Sequence, residues 1–308
     1  MVVPAVSTGV SAFRWGRIRR RIADNFMAYL FMAAAIACFA FFSWYPLYYG
    51  FQLAFQQNNF IDPAKWVGFA NYRHVIADPN FKRAWTNTIR FSVFALLLGA
   101  AVPFFTALLL NELRHFKGYL RVAVYTPVML PPVVVCLLWR YFYTPSGGPF
   151  NFLLHAAHLP TSQWVQSADA NMVMLSLVFC ATWGNMGAAT IIYLAALRGI
   201  PGEIYEASEI DGAGFWRRLR DVTLPHMRFI VLVMVLLQII ATMQVFTEPF
   251  VLGGGPTNEM SMTLMTMIYQ VAFVTPRNFG YAAALSTMLF TVLLAFSALY
   301  LFVTRTRD

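Results

Sequence analysis

Charge is what this sequence has least of. Asp, Glu, Lys and Arg make up 11% of its residues and hydrophobic types 59%, against roughly 25% charged in an ordinary soluble domain. That supply cannot cover a water-facing surface. The deficit is concentrated in runs with no charge at all: Phe26 to Gly50, Phe91 to Leu110, Val122 to Trp139, Asn171 to Leu197, Phe229 to Thr247 and Phe279 to Thr304. Each is about as long as the 17–25 residues a helix needs to cross a hydrocarbon core roughly 30 Å thick. The reading is an all-α integral membrane chain with six transmembrane helices.

Other absences exclude chemistry. Three scattered cysteines, Cys38, Cys136 and Cys180, give neither a disulfide framework nor metal spacing, and read as packing residues. No G-x-x-x-x-G-K-[ST], H-E-x-x-H, G-x-S-x-G or C-x-x-C occurs, so phosphate cradling, zinc hydrolysis, serine nucleophilicity and dithiol exchange have no carrier here. His155 and His158 lie three apart in a loop and read as solvated histidines rather than metal ligands. The runs lack the buried acids on which ion-driven carriers depend. Arg90 and Arg140 sit at run ends, where they can snorkel, and Glu248 closes the fifth run. The chain reads as no enzyme, with no cofactor or metal of its own and no internal energy source.

The charge that is present sets an orientation. Fifteen of the twenty-two Lys and Arg precede the first run, follow the second, lie between the fourth and fifth, or end the chain. With six spans these segments share one side, which the positive-inside rule makes cytoplasmic, termini included. The net charge of +9 is then a topology signal with some attraction to anionic lipid, not a nucleic-acid patch. The expected division is a basic cytoplasmic segment over 1–25, a first helix over 26–50, an extracytoplasmic loop over 51–85, and a core over 86–304 containing a cytoplasmic loop at 198–228. The first run is too long for a signal peptide and has no small-x-small cleavage site, so a retained helix is expected. The basic segment is either an amphipathic surface helix or a solvated tail. Met260 to Val274 suits a half-buried helix at the outer face better than a seventh span.

One cytoplasmic stretch runs against the general poverty of charge. "YEASEIDGAGFWRRLRDVTLP", Tyr205 to Pro225, is flanked by oil yet dense in acids and arginines. Pro201 suits an early helical position, with Glu203 and Glu206 in the first turns, where negative charge complements the helix dipole. Gly212 is placed to end that helix at positive φ. A second short helix is expected through "FWRRLRDV", with Pro225 turning the chain into the fifth span. A rigid helix–glycine–helix elbow of this kind suits a groove on another protein.

The elbow resembles the EAA loop of ABC importer permeases. "EAS" at Glu206 to Ser208, three residues, Gly212, nine residues and "VTLP" at Val222 to Pro225 follow its pattern, departing at Ser208 and Val222. "GFANY" at Gly68 to Tyr72 and "TNT" at Thr86 to Thr88 are further matches to the family, and "LGGGPTNEMSMTL" at Leu252 to Leu264, followed by "IYQVAF" and "FGYAAALS" at Phe279 to Ser286, resembles the maltose-type half of the permease pair. The resemblance implies a type I importer permease fold in a bacterial cytoplasmic membrane. It implies a second, related permease, two cytoplasmic ATPase subunits that hold ATP and Mg, and an extracytoplasmic solute-binding protein. Glu206 then makes the polar contact with the ATPase, Ala207 and Ser208 pack, Gly212 turns the chain, and Asp211, Leu224 and Pro225 complete the coupling set. Gly254, Gly255 and Pro256 form an outer-face motif.

A neutral sugar needs hydroxyl partners and flat apolar faces rather than charge, which the bare runs allow. Trp183, Gly184 and Asn185 in the fourth run, and Gln238, Thr242 and Gln244 in the fifth, are the candidates for the substrate path. Gln238 and Thr242, four apart, share a helix face; Gln244 projects elsewhere unless the helix bends. The amides serve equally well as glue between helices. Pro127, Pro131 and Pro132 should kink the third run, and Met129 faces either the path or the core. The aromatics of "FFSWYPLYY" and "WRYFY" read as interfacial belts. Glycerol-phosphate esters or polyamines are alternative cargoes, and an uncoupled secondary carrier or a membrane scaffold are alternative classes.

Overall fold

The computed structural model describes residues 24–113, 115–274 and 277–305. The basic segment before Asp24, Arg114 and Arg307 lie outside the described residues. The chain divides into two compact units, residues 1–53 and 54–308. In the first, α1 (Phe26–Phe39) passes through a wide π-helical turn (Ala40–Trp44) into α2 (Tyr45–Leu53). The wide turn has a local cause. Pro46 has no N–H for its i−4 carbonyl, and loosening the preceding turn keeps the helix running past it.

The second unit opens with a two-residue ribbon, in which β1 (Gln56–Gln57) pairs antiparallel with β2 (Lys65–Trp66). There follow α3 (Ala70–Ala77), α4 (Pro79–Glu112), α5 (Lys117–Met129), α6 (Pro132–Phe142), α7 (Pro149–Ala156), α8 (Ala170–Arg198), α9 (Gly202–Ile210), α10 (Phe215–Arg218), α11 (Leu224–Met243), α12 (Leu264–Tyr269) and α13 (Phe279–Arg305). Five helical stretches are long and apolar enough to cross a membrane, or six if the bent pair α5–α6 is one span. That pair turns by 105° at Leu130 and Pro131, since the residue before a proline is pushed out of the helical region. Met129, offered by its sequence to either path or core, is 80% exposed at the bend.

Helix α4 is longer than its uncharged run because its first three turns carry Lys82, Arg83 and Arg90. It packs along α8 and touches α11. Three hydrophobic clusters meet along it: Ala84 belongs to one, Phe91 and Ala95 to a second, and Phe104, Ala107, Leu108 and Leu110 to a third. Gly187 lets α8 cross close over α5, for a Cβ there would lie 2.6 Å from the Val124 carbonyl oxygen. Cys136 and Cys180 are buried in the same hydrophobic cluster, whereas Cys38 is exposed rather than packed.

The segment expected as an outer loop is ordered, and so is the stretch Met260 to Val274, where α12 runs into a wide turn over Gln270–Val274 with Leu264, Thr266, Met267 and Ala272 buried. The reason lies in neutral side chains. Asn71 donates to the carbonyls of Ala54 and Gln56, both at 2.9 Å. Asn87, 1% exposed, donates to those of Glu259 and Met262, both at 3.0 Å. Thr88 accepts the Leu264 N–H at 3.0 Å. Tyr72 meets Thr287 at 2.9 Å and Tyr281 donates to Asp78 at 2.8 Å. Gly280 lies directly under the Gln56 carbonyl, leaving no room for a side chain. An Asn87→Leu substitution keeps the bulk and strands the buried Met262 carbonyl together with the part-buried one of Glu259, which should cost about 1–3 kcal/mol. The readout is a lower thermal midpoint of the detergent-solubilised protein, and an unchanged midpoint would show that the clamp contributes nothing.

Candidate functional site

Two regions carry the sequence candidates. The first is the elbow between α8 and α11. Pro201 stands just before α9 with an extended ψ of 133°, and Glu203 lies in the first turn. Gly212 has φ of +73°. The Gly212 N–H donates to the Glu209 carbonyl at 3.0 Å and the Ala213 N–H to that of Ser208 at 2.9 Å. This is a Schellman end, which satisfies carbonyls a helix terminus otherwise leaves orphaned. Glu209 pairs with Arg218 across the turn, and the Tyr205 hydroxyl meets that of Thr223 at 3.0 Å. The elbow is therefore a fixed shape.

Its second half differs from the sequence expectation. No separate short helix ends at Pro225. From α10 a wide turn over Leu219–Thr223 leads directly into α11, so helix runs without a gap from Phe215. Pro225 lacks the N–H that would bond the Asp221 carbonyl, and the widened turn absorbs this without redirecting the chain.

The outward face of the elbow is unspent. Glu203, Glu206 and Asp211 are exposed and make no ion pair among the described residues. Ala207, Gly212, Leu224 and Pro225 are exposed beside them and Ser208 half-exposed, its hydroxyl turned back to the Tyr205 carbonyl at 2.7 Å. Ile210 is 87% and Trp216 70% exposed. A carboxylate with unused acceptors amid exposed apolar groups is a surface made for a partner.

The path candidates divide by what they touch. Gln238 donates across to the Ala95 carbonyl and lies over Gly99, so it joins α11 to α4. Trp183 packs against Trp139 of α6 at 6.0 Å, and Gly184 makes room for Val135. Asn185 and Gln244 are exposed, each bonded only within its own helix, to Ala181 at 2.9 Å and Ile240 at 3.2 Å. Thr242 donates to Ile239 at 3.2 Å. α11 ends at Met243, so Gln244 lies at a break in the helix before the wide turn Glu248–Leu252. Gln238 ties α11 to α4, whereas Asn185 and Gln244 make no bond to another helix among the described residues.

At the other end of α11, Gly254 and Gly255 both adopt positive φ, +93° and +73°, and Pro256 follows in a tight turn. Asn258 donates to the Gly253 carbonyl at 2.8 Å, and Arg83 pairs with Glu259 at 2.7 Å. Asn71, Asn87, Thr88 and Tyr281 were quoted in the sequence only for resemblance; the "TNT" and "GFANY" stretches prove to be ties onto this loop and the ribbon. His155, in the last turn of α7, and His158 are exposed, and no cluster of three or more His, Cys, Asp or Glu occurs among the described residues.

Long apolar helices with an ordered, charged elbow between two of them fit a helical membrane component. Residues 99–308 match the family of binding-protein-dependent transport system inner membrane components, and the chain belongs to that family. It is 30% identical, over 89% of its length and 94% of the relative's, to a probable ABC transporter permease, YurN, of Bacillus subtilis. It is 30% identical, over 96% of its length and 87% of the relative's, to NgcF, a diacetylchitobiose uptake system permease of Streptomyces coelicolor. Its fold is similar to that of a chain from the crystal structure of a bacterial ABC transporter that imports alginate, with TM-score 0.84, 25% identity, and coverage of 95% of this chain and 99% of that one.

Space is open around Gly212, so Gly212→Ala meets backbone strain alone, about 1–2 kcal/mol for a left-handed residue. Trypsin should cut faster at Arg217 and Arg218 in that variant, and Gly212→Asn, which tolerates the left-handed region, should fall between it and wild type. Equal rates in all three would mean that the turn does not depend on Gly212.

Proposed function

We propose that this chain is the transmembrane permease subunit of an ATP-driven importer that takes up a sugar or sugar-like solute from an extracytoplasmic binding protein. It works as one half of a heterodimer with a related permease in the bacterial cytoplasmic membrane. Two ATPase subunits on the cytoplasmic side hold ATP and Mg and carry out hydrolysis. The observation that carries the reading is the exposed, unpaired Glu206 on an elbow held rigid by its Schellman turn. The sugar assignment draws on the relatives, whose names include diacetylchitobiose, arabinooligosaccharide and trehalose systems, and on spans almost bare of charge.

The topology in this proposal has six spans, with α5–α6 crossing as one broken span. Counting supports it. With six, fifteen of the twenty-two Lys and Arg share the side of the elbow and termini, and seven face the other way. If α5–α6 merely dipped in and returned, the better side of a five-span chain would hold twelve and the other ten, a far weaker bias. The positive-inside rule favours the first. The loop 198–228 is then cytoplasmic, and the loop carrying Gly254, Gly255 and Pro256 faces the binding protein. ATP closes the ATPase dimer, and each elbow moves with its ATPase as a rigid body, turning the permease pair between inward-open and outward-open. Asn185, Thr242 and Gln244 offer hydroxyl partners along the path.

The test is ATPase activity of the purified assembly with candidate saccharides and the binding protein. Glu206→Lys should cut the stimulated rate by roughly tenfold or more, the fold-change a lost charge-assisted contact brings at about 1.5–3 kcal/mol, and should release the ATPase on gel filtration. Full stimulation in the variant would remove Glu206 from the contact. A chain that purifies alone and moves solute without ATP would replace the importer with an uncoupled carrier.

A further inference from the structure

Where α6 gives way to α7, Trp139, Tyr143, Phe150, Leu153, Trp164 and Phe179 line a recess of about 360 Å³. That lies at the small end of the range for ligand pockets. Its wall is ring and methyl carbon almost throughout, with next to nothing to meet a hydroxyl. A saccharide seated there would lose its hydrogen bonds to water without replacement; hydrocarbon would lose nothing.

The recess is built rather than left over. Trp164 has φ of +48°, a left-handed backbone that a bulky residue adopts only when its surroundings compel it. Asn151, 3% exposed, supplies the compulsion. Its oxygen accepts from the Trp164 indole N–H and the Ser162 N–H, both at 3.0 Å, and its amide donates to the carbonyls of Pro145 and Ser162, both at 2.9 Å. The Trp164 ring stacks on Tyr143 at 5.1 Å, and Tyr143 is anchored by its hydroxyl to the Ser176 carbonyl at 2.9 Å. Tyr143 is thus no belt residue at the interface, as its "WRYFY" setting implies, but a buried part of this wall.

The rim matches the inside. Leu153, in the wall, is 61% exposed, so the recess opens to the surface at an apolar side chain, on a helix whose Phe152 is also exposed. Arg140, next to Trp139 in the last turn of α6, is exposed. On the six-span topology proposed above, this mouth lies at the outer interface, where an acyl chain has its ester and phosphate end at the depth of an interfacial arginine. We propose that the recess holds one acyl chain of a membrane phospholipid, with Arg140 facing its phosphate.

Brominated acyl chains quench tryptophan on contact, and Trp139 and Trp164 are reporters in the wall. The full importer in detergent micelles is titrated with dibrominated phosphatidylglycerol. Quenching should saturate and be reversed by unbrominated phosphatidylglycerol. Leu153→Glu sets a carboxylate at an apolar mouth and should raise the midpoint by about tenfold, while Leu153→Met leaves it in place. Trp164→Phe removes one reporter and the indole hydrogen bond to Asn151, so it should lower the saturable amplitude and raise the midpoint, and it serves if Leu153→Glu does not assemble. Quenching that never saturates, the same midpoint in Leu153→Glu as in wild type, or release of the brominated lipid by the solute-binding protein would each overturn the proposal. The last would make the recess part of a protein interface. None of these readings depends on which solute is carried, so a failed sugar assignment leaves the test intact.

Discussion

The structure depends on satisfying irregular backbone without charge. A loop that packs at or near hydrocarbon depth cannot leave its carbonyls to water, and this chain has almost no ions to spare for them. It uses asparagine. Asn71 holds the carbonyls of Ala54 and Gln56, Asn87 those of Glu259 and Met262, Asn151 those of Pro145 and Ser162, and Asn258 that of Gly253. An amide side chain carries two donors and an acceptor with no net charge, so it can be buried whole once all are met. Each of these residues stitches a loop to a helix or to itself, and the end opposite the elbow owes its order to them.

The prolines pose the converse problem, a missing donor inside a helix. Pro46 and Pro225 are both preceded by wide turns, Ala40–Trp44 and Leu219–Thr223, that let the helix continue. At Pro131, with Pro132 behind it, no such turn forms and the chain bends by 105°. The mechanical consequence is greatest at Pro225. Because α10 flows into α11 without a hinge, and Tyr205 and Glu209 tie α9 to the same segment, the elbow and the span that follows form one lever. On the proposed reading, force applied to Glu206 reaches α11 without being lost in a flexible joint.

Much of this was legible in the sequence, for physical reasons that also mark where legibility stopped. The apolar runs signalled long helices because membrane helices must be uncharged over a fixed length. The Gly212 turn was legible because few residues other than glycine adopt positive φ readily. Where α4 begins was not, since its charged first turns look like loop to a criterion built on missing charge. The continuous helix through Pro225 was also hidden: a π-helical turn has no sequence signature, while proline has a strong one. Gln238 and Gln244 read alike as polar residues at membrane depth. Only the contact with Ala95 and Gly99 separates the one that glues helices from the one that makes no bond to another helix among the described residues.

Scarcity of charge and its concentration in the elbow have one explanation on this reading. A path for a neutral solute gains nothing from buried ions and would trap counterions if it had them. A contact with an aqueous partner that must move a membrane helix needs strong, directional groups, and charge-assisted hydrogen bonds supply them at roughly twice the strength of neutral ones. The elbow spends Glu209, Asp221 and their arginines on its own shape and keeps Glu203, Glu206 and Asp211 for what lies outside it. That division of labour separates a handle from a solvated loop: a loop whose acids and bases were all paired internally would be just as polar, and would have nothing left with which to be moved.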